Sequence, residues 1–220
     1  MLEAFLFDLD GTLADTDPVH YETWKDMLRE YGLDIDPVFY KAHFSGRLNL
    51  QIIQDLLPSL SLDKAEALSD RKEAEFRRRM ANLSPLPGLL DLLNWMGTHR
   101  LKRAIVTNAP PANAQFMLRS LKVEALFPVV VLGEELERGK PDPMPYQVAL
   151  ERLGVKGDRA VAFEDSPSGV RSAVGAGIPT VGIATTHDPE LLYAIGATLV
   201  VPDFADPRLL DWLQIPALTS

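Results

Sequence analysis

Six short apolar runs recur along the chain, and their spacing limits the fold more than any other feature. They are EAFLF (3–7), RAIVT (103–107), PVVVL (128–132), AVAF (160–163), PTVGI (179–183) and ATLVV (197–201). Helical patterns of crossover length lie between the later ones, among them NAQFMLRSL, PMPYQVALERLGV and SPSGVRSAVGAG. A strand that is apolar at every position, rather than at alternate ones, has both faces covered. Alternation with helices then makes a parallel sheet, so the expected fold class is α/β.

The stretch from Asp15 to Leu83 breaks this rhythm. DPVHYETWKDMLREYG, PVFYKAHFSG, NLQIIQDLLPSL and LDKAEALSDRKEAEFRRRMAN all carry helical spacing and contain no convincing strand. An all-helical segment therefore interrupts the α/β unit after its first strand, and the chain returns through SPLPG. The expected division is 1–14 with 84–220 as the core domain and 15–83 as an inserted helical cap domain. Within the insertion, DRKEAEFRRRM carries opposite charges at helical spacing and reads as a solvated helix face.

At 220 residues, 46% hydrophobic and 24% charged, the chain can bury a substantial core. A formal charge of −9 argues against nucleic acid or an anionic membrane as the main partner, while a small anion drawn in by local cations is compatible with it. Without cysteine there is neither a disulfide, a thiolate metal site nor a cysteine nucleophile. Glu3, Asp8 and Asp10 interrupt the N-terminal apolar run, which therefore lacks the form of a signal peptide, and no run approaches a bilayer span. A cytoplasmic monomer is expected, with a disordered C-terminal IPALTS.

In open α/β sheets ligands bind outside the carboxyl ends of the strands. The first strand ends in FDLDGT, whose Asp8 and Asp10 repel each other unless a cation sits between them, one is protonated, or the pair diverges as the strand ends. The second ends in Thr107 and Asn108 before Ala-Pro-Pro, which suits either a helix cap or an anion site at a helix N-terminus. After the third comes Lys140 in GEELERGKPDPMPY, able to reach back over the strand ends. The fourth ends in Glu164 and Asp165, ahead of SPSG. Four carboxylates and a lysine around one crevice call for a hard divalent cation, and Mg²⁺ is the ion that combines one or two carboxylates with phosphate oxygens. On that reading Asp8 attacks phosphorus, and Asp10 keeps a raised pKa and moves the proton. Thr107, Asn108 and Lys140 offset charge on the transferring group.

These residues resemble the four motifs of the haloacid dehalogenase superfamily: FDLDGT, VTN, GKPDP and FEDSPSG. The resemblance covers essentially the whole chain and implies a Rossmann-like three-layer core with a helical lid. It also implies an aspartyl-phosphate on Asp8 and Mg²⁺ held by Asp8, the Asp10 carbonyl and Asp165, with Glu164 assisting. DTDPVHYETWK is similar to the subgroup of β-phosphoglucomutase and small sugar-phosphate phosphatases. It places His20 and Trp24 in the cap near the site, His20 in a functional role and Trp24 as packing between cap helices. Gly46 and Arg47 in FSGRLNLQII, with His20 and Asn108, are the expected substrate contacts. Where the mutase has an arginine for a second phosphate this chain has Asn49, and TNAPPANAQFML is similar to phosphatase members. The expected activity is thus Mg²⁺-dependent hydrolysis of a small sugar or polyol phosphate, with a sugar phosphomutase as the alternative. A dehalogenase would not need Asp10, and a non-catalytic protein would be free to lose some of these acids.

Overall fold

The computed structural model describes residues 2–44, 46–80 and 82–215. Six strands form one sheet: β1 (Ala4–Phe7), β2 (Lys102–Thr107), β3 (Val129–Leu132), β4 (Ala160–Glu164), β5 (Thr180–Ile183) and β6 (Leu199–Val201). Every pairing is parallel, and the order is β3-β2-β1-β4-β5-β6. The expected strands match to within two residues at each end, because burial on both faces writes itself as an unbroken apolar run.

Side-chain alternation divides the interior in two. Phe5, Phe7, Ile105, Val161 and Phe163 point to one face, against α5 (Leu89–Thr98), α6 (Pro111–Ser120) and α10 (Pro207–Leu213). Ala4, Leu6, Ala104, Val106, Ala160 and Ala162 point to the other, against α7 (Met144–Leu153) and α8 (Pro167–Gly175). The small alanines admit helices closely on that side. Phenylalanines fill the first, where Phe7 stacks on Phe163 with ring centroids 4.9 Å apart. A short α9 (Pro189–Ala194) packs Leu192 against Val170 of α8 and Val200 of β6.

Between β1 and α5 the chain forms four helices, α1 (Asp17–Arg29), α2 (Pro37–His43), α3 (Asn49–Leu56) and α4 (Leu62–Arg79). They bury their own apolar cluster, including Trp24, Met27, Leu28, Tyr40, Phe44, Ile52, Ile53 and Leu68. The fold is thus a Rossmann-like α/β/α sandwich carrying an inserted all-helical segment. Trp24 is a packing residue, its ring 5.4 Å edge-on from Phe44.

The expectation for the charge run is corrected. Glu75, Arg78 and Arg79 do form an outward ion-paired face of α4. Lys72, Glu73 and Phe76 of the same run are buried. Their charges are adjacent rather than three or four apart, and their partners come from distant segments, so no local pattern revealed them. Among the described residues no helix is long and apolar enough to cross a membrane. Ile215 is buried, and the rest of the C-terminal segment expected to be disordered lies outside the described residues.

Candidate active site

The sheet order reverses at β1, since β2 and β3 lie on one side and β4 to β6 on the other. Loops leaving β1 and β4 therefore separate at their carboxyl ends and open a crevice there. Asp8 follows β1, while Glu164 closes β4 and Asp165 follows it. The registry Phe7↔Phe163 sets Asp8 level with Glu164. Helices α1, α3 and α4 roof this crevice, leaving a cleft of about 110 Å³ lined from both sides.

Asp8 and Asp10 do not share a face, because β1 ends at Phe7 and the pair diverges. The Asp8 carboxylate accepts from Lys140 Nζ at 2.7 Å, and the same ammonium donates to Glu164. Tyr146 Oη donates to Glu164 at 2.8 Å, and Thr186 Oγ1 donates to Asp165 at 2.5 Å. Asp8, Glu164 and Asp165 can each present one oxygen within 4.8 Å of the others, an all-carboxylate donor set. Asp8 and Glu164 share one ammonium, while Asp165 is met by the Thr186 hydroxyl. Burial pushes the Asp8 carboxyl up to about 7, opposed by Lys140 and reinforced by the charges of Glu164 and Asp10. Burial, then the charges of Asp8 and Glu164, push Asp165 well above the carboxylate range. Burial alone would discharge Lys140, but Asp8 and Glu164 outweigh it and hold the ammonium above its usual range.

Asp10 turns toward the helical segment. Its Oδ1 accepts from Thr16 Oγ1 at 2.8 Å and from His20 Nε2 at 3.0 Å. His20 Nδ1 in turn lies 2.7 Å from Lys72 Nζ. An ammonium can only donate, so Nδ1 accepts and the ring proton sits on Nε2, aimed at Asp10. The ring is fixed flat against Phe76, with centroids 3.9 Å apart and planes 1° from parallel. Burial would raise the Asp10 pKa, but the His20 and Thr16 hydrogen bonds win and hold it below the usual range. The expectation of a raised Asp10 pKa is therefore corrected. Two donors converging on one oxygen stabilise its anion.

Thr107 Oγ1 accepts from the Ala109 amide at 2.9 Å at the edge of the cleft. Asn108 acts as a brace as well as a lining residue. Its Nδ2 donates to the carbonyls of Gly46 and Lys140, and its Oδ1 accepts from the Lys140 amide, at 3.1–3.2 Å. Gly46 has φ +71, and a Cβ there would press on Ser166. Arg47 lines the cleft while its guanidinium binds Asp55 at 2.6 Å and the His43 carbonyl at 3.0 Å. All the expected site residues thus border or underlie one crevice. Thr16, Lys72, Glu73, Asn113, Tyr146 and Thr186 join them unannounced. Thr16 alone had a signal, as the residue before Asp17-Pro18 at a helix start, but its hydroxyl serves Asp10 instead of the helix.

The family described as haloacid dehalogenase-like hydrolase matches residues 5–183. A phosphorylated carbohydrates phosphatase from Thermotoga maritima is 33% identical over 204 residues, covering 91% of this chain and 94% of that one. The fructose-1-phosphate phosphatase YqaB of Escherichia coli is 30% identical, covering 81% and 94%. Among solved structures, a mutant of CbbY from Rhodobacter sphaeroides in complex with xylulose-(1,5)bisphosphate superposes with a TM-score of 0.82 at 26% identity, covering 94% and 96%. With the family match spanning strands β1 to β5 and the helical insertion alike, this chain belongs to the haloacid dehalogenase-like hydrolases.

Proposed function

We propose that the chain is a Mg²⁺-dependent phosphatase that hydrolyses small sugar or polyol phosphate monoesters through an aspartyl-phosphate on Asp8. The observation that carries this reading is a buried Asp8 bound to Lys140 while Asp10, two residues on, faces the same cleft from a separate hydrogen-bonded support. The relatives named for phosphorylated carbohydrates and fructose 1-phosphate support the substrate class. Three clustered oxygen-donor acids, two of them on a single ammonium, suit a hard divalent cation, so Asp8 and Asp165 would hold Mg²⁺ with Glu164 and the Asp10 carbonyl beside them. Bound there, the ion supplies positive charge against the phosphoryl oxygens.

Asp8 attacks phosphorus in line, and the bond from phosphorus to the ester oxygen breaks. The departing alkoxide takes its proton from Asp10. Asp10 rests ionised; the charge of the incoming phosphate raises its proton affinity, so it takes a proton from solvent on binding and returns the proton gained from water to solvent after the second half. In the second half, Asp10 takes a proton from water, the water oxygen attacks phosphorus, and the bond to Asp8 breaks to release phosphate. His20 keeps the Asp10 carboxylate aimed throughout, and Lys140 holds Asp8 and offsets phosphoryl charge. Residues 15–83 act as a lid that excludes water during the first half.

The test is inorganic phosphate release from a panel of phosphorylated sugars and polyols, with and without Mg²⁺, beside Asp8→Asn. Metal-dependent release that disappears in the variant is expected. Release that persists in Asp8→Asn, or that ignores chelation, overturns the reading. Isomer interconversion without net release, with a bisphosphate primer, would identify the mutase.

A further inference from the structure

The hydrogen bonds that lead from Asp10 through His20 and Lys72 end at Glu73, a carboxylate only 5% exposed that lines the cleft from α4. Glu73 accepts from Lys72 Nζ at 2.7 Å, from Asn49 Nδ2 at 2.5 Å and from Asn113 Nδ2. Burial would neutralise it, but the Lys72 charge and these bonds hold it below the usual glutamate range. An ionised carboxylate has roughly four acceptor directions, so three donors leave one for a molecule in the cleft.

The charge around Glu73 is weighted negative. Glu134, on the core loop after β3, also lines the cleft, and its carboxyl is raised by burial and then by the charges of Glu73 and Asp70. The two cations that the helical segment brings to the cleft are already engaged. Lys72 lies between His20 and Glu73, and Arg47 is bound to Asp55. A hydroxyl arriving there finds a fixed anionic acceptor, whereas a second phosphate finds two carboxylates and, among the described residues of the helical segment that line the cleft, only cations already engaged.

We propose that Glu73 selects the non-reacting end of the substrate, accepting a hydrogen bond from a hydroxyl of an uncharged sugar or polyol tail and rejecting a second phosphate. This deepens the phosphatase reading above and rests on it. Like charges brought together in a desolvated site cost several-fold to many-fold in affinity. A preference for monophosphate over bisphosphate on the order of 100-fold in kcat/KM is therefore expected.

The experiment compares fructose 1-phosphate with fructose 1,6-bisphosphate on wild type, Glu73→Gln and Glu134→Gln, following phosphate release and, by calorimetry, binding of the same two compounds. Glu73→Gln is expected to narrow the preference by about tenfold, chiefly through a lower KM for the bisphosphate, and Glu134→Gln to narrow it less. A Glu73 that served only as a brace would weaken both compounds alike, because bracing does not read the charge of the tail. Preferences within about twofold of wild type in both variants, or equal wild-type affinities, would overturn the assignment. If wild type released phosphate from neither compound nor from p-nitrophenyl phosphate, the phosphatase reading would fall. The calorimetric preference would still decide the role of Glu73.

Discussion

Gly11 shows how closely single residues are fitted around the acids. Its φ of +75 lies in the left-handed region, and a Cβ there would collide with the Asp165 carboxylate and come within 2.9 Å of Thr186 Oγ1. The glycine of FDLDGT therefore lets the loop after β1 lie against the loop after β4. Gly11→Ala incurs about 1–2 kcal/mol of backbone strain and also displaces Asp165. Turnover is expected to fall on the order of 100-fold while the melting temperature drops only a few degrees, as read by initial rates and thermal melts of the same preparation. A fall in Tm with turnover intact would show that Asp165 can shift without consequence. Asp8, Glu164 and Asp165 were legible in the sequence because each ends a strand or begins the loop after one, and strand ends converge; Lys140 lies further along the loop after β3. Tyr146 and Thr186 were not. One sits in an apolar helix pattern and the other in a loop, and only the fold brings their hydroxyls to Glu164 and Asp165. The pKa of Asp10 was misjudged for a related reason. Its environment is made by Thr16 and His20, whose orientation depends on how α1 leaves the first loop.

Helix α4 does two jobs on two faces, and its sequence disclosed only one. Outward, Arg78 pairs with Glu75 in solvent, as ordinary charge spacing suggests. Inward, Glu73 and Arg77, one turn apart, grip the side chain of Asn113 from α6: its amide donates to Glu73 and its carbonyl accepts from Arg77. One buried amide thereby ties the helical insertion to the α/β unit with both of its polar ends satisfied. Asn113→Asp replaces the donor with a second carboxylate facing Glu73. KM for the best substrate is expected to rise about tenfold or more and the melting temperature to fall, because two buried carboxylates then face each other where a hydrogen bond stood. Arg78→Ala, on the opposite face of the same helix, should leave both quantities unchanged. Equal effects from the two substitutions would mean that the Asn113 clamp contributes nothing to the junction. The strands were readable to within two residues because double burial leaves one composition. A helix buried on a polar stripe reads like a solvated one until its distant partners are known.

On the scale of the whole molecule, the reversal of strand order at β1 concentrates negative charge where the two halves of the sheet part. Asp8, Glu164 and Asp165 lie there with a single ammonium, so the fold carries an electrostatic cost that a bound divalent cation would relieve. A ligand that binds the folded state alone stabilises it by about 1.4 kcal/mol at ten times its dissociation constant, or roughly 3–5 °C for a chain of this size. Thermal melts in chelator and in increasing Mg²⁺ should show that rise. Asp165→Asn sharpens the test, because it removes one of the like charges yet leaves an oxygen to accept from Thr186. In chelator the variant should melt at or above the wild-type temperature, and added Mg²⁺ should barely move it. The pattern separates a metal site from a general salt effect, since surface screening would act on both proteins equally. If wild type and variant rose together with Mg²⁺, or if the variant in chelator melted well below wild type, the acids would be structural partners of Lys140 and Thr186 rather than a cation cradle.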